Sequence, residues 1–182
     1  AYNVGIGYHA GTAVTTGTQN TLIGGLAGAA ITTGASNVAL GYTALQANTT
    51  AADNTAVGVS AMYANTTGTS NVSVGRSALQ NNTTASNNTA VGKSALNANT
   101  TGANNSALGY NSLLLNTTGN QNTAIGMVAL DANTTGSDNV ALGYASLTAN
   151  TTASNNTAIG RGALQLNTTG ANNVAIGSLT LD

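Results

Sequence analysis

Apolar and polar residues follow one another along this chain in a block that returns every seventeen residues, from one end to the other. Each block opens on Asn, then Val or Thr, then a small residue, a branched aliphatic and Gly. The Asn stands at Asn3, Asn20, Asn37, Asn54, Asn71, Asn88, Asn105, Asn122, Asn139, Asn156 and Asn173. The Gly follows at Gly7, Gly24, Gly41, Gly58, Gly75, Gly92, Gly109, Gly126, Gly143, Gly160 and Gly177. A fixed short period with no insertion is the mark of a solenoid, in which each repeat is one coil stacked on the last.

With the Asn as position zero, position three is always aliphatic, as in Val57, Val74, Val91, Leu108 and Ile125, and position one is Val, Thr or Ser. Side chains alternate across a strand, so these two positions share one face. Position two takes the other face, and it is Ala39, Ala56, Ala90, Ala107, Ala124, Ala141, Ala158 and Ala175, with Gly5, Leu22 and Ser73 as exceptions. The pattern predicts a short strand with its bulky face turned into the coil. The Ala face then forms a flat outer stripe suited to close approach by a neighbouring chain. The Gly at position four supplies the backbone freedom for a corner.

Positions seven and eight, small then Leu or Met in most coils, predict a second strand that sets Leu79, Leu96 and Leu113 against Val74, Val91 and Leu108 inside the coil. Asn-Thr-Thr-(Gly/Ala) then reads as a turn. A helix fits poorly, because the apolar spacing is wrong and Asn, Thr and Gly recur too often. The expected architecture is all-β, a parallel β-solenoid of about eleven 17-residue coils. At one strand spacing per coil it is roughly 50 Å long. The Asn at positions zero and eleven are expected to stack into amide ladders, with Asn37, Asn54, Asn88, Asn122 and Asn156 and the corner glycines Gly41, Gly58, Gly92, Gly126 and Gly160 as its framework.

The chain reads as one domain, 1–182, with variant coils over 1–34 and regular coils over 35–182. The variant coils carry Gly11 and Gly28 where later coils have Leu, and Val14 and Ile31 where later coils have Asn. Their anchor shifts along the coil, which predicts a change of cross-section. A weaker two-coil period, with Val and Thr alternating at position one, leaves a 34-residue turn as the alternative. Neither end shows a cap, so the expectation is either continuation of a longer fibre or end-to-end stacking.

Composition narrows the function. Charged residues make up 4% and net charge is −1, too little basic charge for phosphate-driven nucleic-acid binding. No apolar run approaches the roughly 18 residues of a membrane span. Cys is absent, which removes disulfides and thiolate metal sites.

Asn37-Val38-Ala39-Leu40-Gly41, Asn122-Thr123-Ala124-Ile125-Gly126 and Asn173-Val174-Ala175-Ile176-Gly177 resemble the head repeat of YadA-type trimeric autotransporter adhesins. Similar repeats occur in phage tail fibres, which the stretch from Thr15 to Gly24 also resembles. The resemblance implies a left-handed parallel β-roll, three chains side by side, and an extracellular fibre or adhesin at a cell surface or on a virion. It departs from the family in its repeat, which is longer than is typical of the adhesin heads.

Candidate chemistry is sparse. The carboxylates Asp53, Asp131, Asp138 and Asp182 fall in two pairs by coil position, five and three coils apart. At one strand spacing per coil that is roughly 24 and 14 Å, too far for shared acid–base work. His9 has no second ligand, so no catalytic, cofactor or metal site is assigned. Tyr42, Tyr63, Tyr110 and Tyr144 offer rings for sugar stacking or for a seam between chains. Arg76, Lys93 and Arg161 occupy the coil position of several Tyr and read as outward solubility charges. The expected role is a non-catalytic fibre or filament segment that associates with itself, a trimer by resemblance, and meets a host receptor or surface glycan. The alternative is an ice-binding solenoid that uses the repeated Thr-Thr corner, although adjacent Thr in a strand face opposite ways.

Overall fold

The computed structural model describes residues 2–181. It contains eleven three-residue strands: β1 (Val4–Ile6), β2 (Thr21–Ile23), β3 (Val38–Leu40), β4 (Thr55–Val57), β5 (Val72–Val74), β6 (Thr89–Val91), β7 (Ser106–Leu108), β8 (Thr123–Ile125), β9 (Val140–Leu142), β10 (Thr157–Ile159) and β11 (Val174–Ile176). They form one parallel sheet in strict sequence order. Each residue pairs with the one seventeen positions on, as Ala56↔Ser73 and Ser73↔Ala90. Neighbouring strands in the sheet are therefore successive coils, and the turn is 17 residues rather than 34. The chain is a parallel β-solenoid, as the period predicts.

The strand faces are the reverse of the expectation. Ala107 is 1% exposed, whereas Leu108 beside it is 48% exposed. Ala39, Ala56, Ala90, Ala124, Ala141, Ala158 and Ala175 are all buried, so the predicted Ala assembly stripe is the core wall. Val38, Leu40, Val72, Ile125 and Leu142 face outward. The cause is the width of the coil. One three-residue strand and tight turns enclose too little space for bulky side chains from both sides. Leu or Met at position eight already fills it, and only Ala or Ser fits opposite. Ser73 shows the same fit with a polar group: its buried hydroxyl donates to the Ala78 carbonyl at 2.8 Å.

The predicted second strand is a tight turn. Positions six and eight take positive φ in coil after coil, as at Ser94 (56°) and Leu96 (52°). Leu and Met are costly in this region, and such conformations persist only where the surroundings over-determine them. Here the left-handed backbone points Leu45, Met62, Leu79, Leu96, Leu113, Leu130 and Leu147 into the core, where each is fully buried. They meet the Ala wall rather than Val74, Val91 and Leu108. The turn is hydrogen-bonded within the coil, Ala95 N–H to Gly92 O at 3.2 Å, and to the next coil, Leu96 N–H to Ser112 O at 3.0 Å.

The position-four corner requires Gly. Gly75 has φ +135°, and a Cβ there would lie 2.5 and 2.6 Å from the Gly92 carbonyl oxygen and carbon. The coils pass so closely at this corner that the Gly column is a packing requirement as well as a conformational one.

The variant coils keep the cross-section instead of changing it. β1, β2 and β3 pair in unbroken register, and Gly28 N–H bonds Ala44 O at 2.9 Å as regular coils do. One side chain of the second coil's strand, Leu22, stands in for both missing position-eight side chains and is 1% exposed. A Cβ on Gly11 would lie 2.6 Å from Leu22 Cδ1, and one on Gly28 would lie 2.7 Å from Leu22 Cδ2.

Candidate functional site

Three surface files and one corner carry whatever this rod does. At the corner, the Asn of positions zero and eleven form the ladders that the sequence predicts. Asn88 N–H donates to Asn71 Oδ1 at 2.9 Å, and Asn105 N–H donates in turn to Asn88 Oδ1 at 2.9 Å. In the second column, Asn99 Nδ2 donates to Asn82 Oδ1 at 2.9 Å. The two columns meet on one atom per coil: Asn88 Nδ2 at 3.0 Å and Asn99 Nδ2 at 2.9 Å both donate to the Gly102 carbonyl. Asn54 and Asn65 converge on Gly68 O in the same way, and Asn122 and Asn133 on Gly136 O. These buried amides are satisfied, so the corner is architectural. The Asn-x-Thr sequons at Asn65, Asn99 and Asn116 lie inside it, with each Nδ2 donating twice.

The Thr pair that follows is divided between two duties. The first Thr is tied to the rod, as Thr83 Oγ1 donates to Thr100 O and Thr100 Oγ1 to Thr117 O, each at 3.0 Å. The second, Thr67, Thr84, Thr101 and their counterparts, is exposed. The corner therefore offers one file of free hydroxyls, not a flat rank two Thr wide.

The outward strand face is broader. Positions one and three make two parallel files, Val or Thr in one and Ile, Val or Leu in the other. It is a band about 50 Å long and two residues wide; Thr or Ser takes six of the eleven position-one places, so the continuous aliphatic file is position three. The sequence carried a signal for it: a strand with Ala on one face and branched aliphatics on the other fits two ways, and the narrow coil selects one.

The third file is position five, directly after the Gly corner. Tyr8, Tyr42, Tyr110 and Tyr144 stand on it with Arg76, Lys93 and Arg161, all exposed. Tyr63 lies apart, at position nine, and is also exposed. Lys93 Nζ sits 5.6 Å from the Tyr110 ring centroid, a cation–π contact. Tyr8 and His9 stack edge to face with centroids 4.1 Å apart.

Among the described residues no group of His, Cys, Asp or Glu is placed to hold a metal. Among the described residues Asp131 is the one group with a displaced titration: partial burial raises its pKa against backbone hydrogen bonds from its own and the Ala132 amide, which lower it. Its Oδ1 is buried without a partner. Asp53 and Asp138 stand exposed on a separate file, at position sixteen, and Asp182 lies outside the described residues. Comparison with known protein families, with curated proteins and with solved structures finds no match. The likeness to adhesin heads and tail fibres thus rests on the repeated pentapeptides and the Thr15 to Gly24 stretch alone.

Proposed function

We propose that this chain is a non-catalytic structural segment, a stiff rod that associates side by side with copies of itself in an extracellular fibre or filament. The observation that carries this reading is the outward aliphatic face. Leu40, Leu108, Ile125 and Leu142 are 37–48% exposed on one straight band, in a chain that uses apolar side chains of this size elsewhere as core. Water gains nothing from such a band, and a second copy in the same orientation buries it continuously. Stiffness follows from a backbone ladder running through every coil. The trimer of the adhesin heads is the preferred assembly.

Sedimentation velocity tests it. The chain should sediment as a discrete oligomer, and a Leu108→Lys, Leu142→Lys variant should sediment as a folded monomer with an unchanged circular dichroism spectrum. A native chain that is monomeric at high concentration overturns the reading.

The second reading is ice binding, by the strand face rather than the Thr corner. On that face Thr21, Thr55, Thr89, Thr123 and Thr157 occupy every second coil of one file. Thermal hysteresis of the monomeric fraction, lost on Ile125→Lys, separates this reading from the first.

A further inference from the structure

We infer that the position-five file is a binding track for a linear acidic polysaccharide, one that bears a carboxylate or sulfate on its sugar units. This goes beyond the proposed assembly and does not rest on it, because the track and the aliphatic face are different sets of residues.

The argument begins with sorting of charge. The chain has three cationic side chains, Arg76, Lys93 and Arg161, and all three stand on this one file. None of its four acidic residues does, since Asp131 and Asp182 belong to position nine and Asp53 and Asp138 to position sixteen. Charges that served only solubility have no reason to share a line. Arg76 and Lys93 lie on adjacent coils, about one strand spacing apart, where two like charges repel by on the order of 1 kcal/mol or less in water. An anion lying across both converts that repulsion into attraction.

The second element is aromatic. Tyr110 and Tyr144 follow Lys93 on the same file with Met127 between them, and Arg161 comes after Tyr144. Tyr110 is 46% and Tyr144 47% exposed. Tyr rings present a flat apolar body with a polar tip, a match for the apolar face of a pyranose. Among the described residues the Arg76, Lys93 and Arg161 head groups donate no hydrogen bond to the protein, so their N–H groups are available to carboxylate or sulfate oxygens, with Lys93 also resting over one face of the Tyr110 ring.

The third element is pitch. One outward side chain per coil sets a spacing of about 4.8 Å along the file, close to the length of one sugar in an extended chain. Successive sugars then meet successive coils, and contacts that are weak singly add along the track. Nucleic acid fits poorly: three cations neutralise too few phosphates to hold it.

Affinity electrophoresis through gels containing polygalacturonate tests the proposal, with neutral dextran and inorganic polyphosphate gels alongside. The native chain should be retarded by polygalacturonate at low salt, unaffected by dextran, and retarded less by polyphosphate, which has no pyranose face. The variant Arg76→Ser, Lys93→Ser, Arg161→Ser should run freely. Ser178 occupies the same position in the last coil, so Ser is compatible with the backbone there. Tyr110→Ala and Tyr144→Ala should each weaken binding by about fivefold, the scale of one lost stacking contact. The variant Leu108→Asn, Leu142→Asn disrupts the aliphatic face without adding charge and tests independence: retention of binding by a monomer keeps this inference even if self-association fails. Absence of retardation of the native chain, full retardation of the triple variant, or equal retardation by polyphosphate overturns it.

Discussion

The second coil and the regular coils solve one packing problem with opposite halves of the chain. In a regular coil the strand contributes Ala, such as Ala90, and the turn contributes Leu, such as Leu96. In the second coil the strand contributes Leu22 and the turn contributes Gly28, with Ile31 buried beside them in place of the second Asn. The sheet register is the same across both. What the second and regular coils hold constant is therefore the volume between strand and turn, not the identity of either side; the first coil has Gly5 and Gly11 in those places, and Leu22 of the next coil lies against Gly11. A close-packed interior tolerates this exchange and little else.

The sharpest way to break the comparison is Gly28→Leu, which gives the second coil both large side chains. Leu or Met is tolerated at φ near +50° in every regular coil, so backbone strain is not the cause of the expected loss. A Cβ at Gly28 already lies 2.7 Å from Leu22 and 2.8 Å from Ile31. Overpacking should destabilise by about 3 kcal/mol, read as a fall in chemical denaturation midpoint. The double change Leu22→Ala, Gly28→Leu should recover most of it; failure to recover would show that the volume exchange is not the governing rule.

Next in size is Asn88→Ala in a regular coil. It removes the partner of the Asn105 amide and one of the two donors to Gly102 O. A buried amide left without a partner costs about 1–3 kcal/mol, and amide exchange should accelerate at Asn105 first. The same loss at the second coil should be smaller on the position-eleven side, because Ile31 makes no amide ladder there. Ile31→Asn sharpens this point: it extends the second ladder below Asn48 but opens the space beside Leu22, and a net loss of about 1 kcal/mol is expected.

The smallest effect concerns Asp131. Burial raises its folded-state pKa, so the charged carboxylate destabilises the fold above that pKa, and the penalty disappears below the ordinary aspartate range, where both states are protonated. Asp131→Asn should raise the melting temperature at neutral pH and leave it unchanged in acid. The new amide has a bond waiting. Asn97, at the same position in another coil, donates to the Ser77 carbonyl one coil back at 2.8 Å.

The role of position five was half legible. The sequence shows Tyr42, Tyr110 and Tyr144 sharing a position with Arg76, Lys93 and Arg161, and it shows that the position points outward. It does not show Lys93 lying against Tyr110, because that depends on which way a side chain leans along the stack. Tyr63 reads as equivalent to the others by residue type alone, although the seventeen-residue register already sets it at position nine rather than five.

The seventeen-residue period by itself determined the rung, the parallel register, the Gly corner and the paired Asn ladders. Each follows from a residue type with one conformational or hydrogen-bonding use at that place. The period could not determine which strand face turns inward. A strand that is apolar on both sides satisfies the alternation rule either way up, and burial of more aliphatic area favours the wrong choice. The tertiary structure decided it through the turn. Left-handed residues at positions six and eight drive Leu into the coil, and after that only an Ala wall fits. The larger aliphatics were left outside, on the exposed face of the strand.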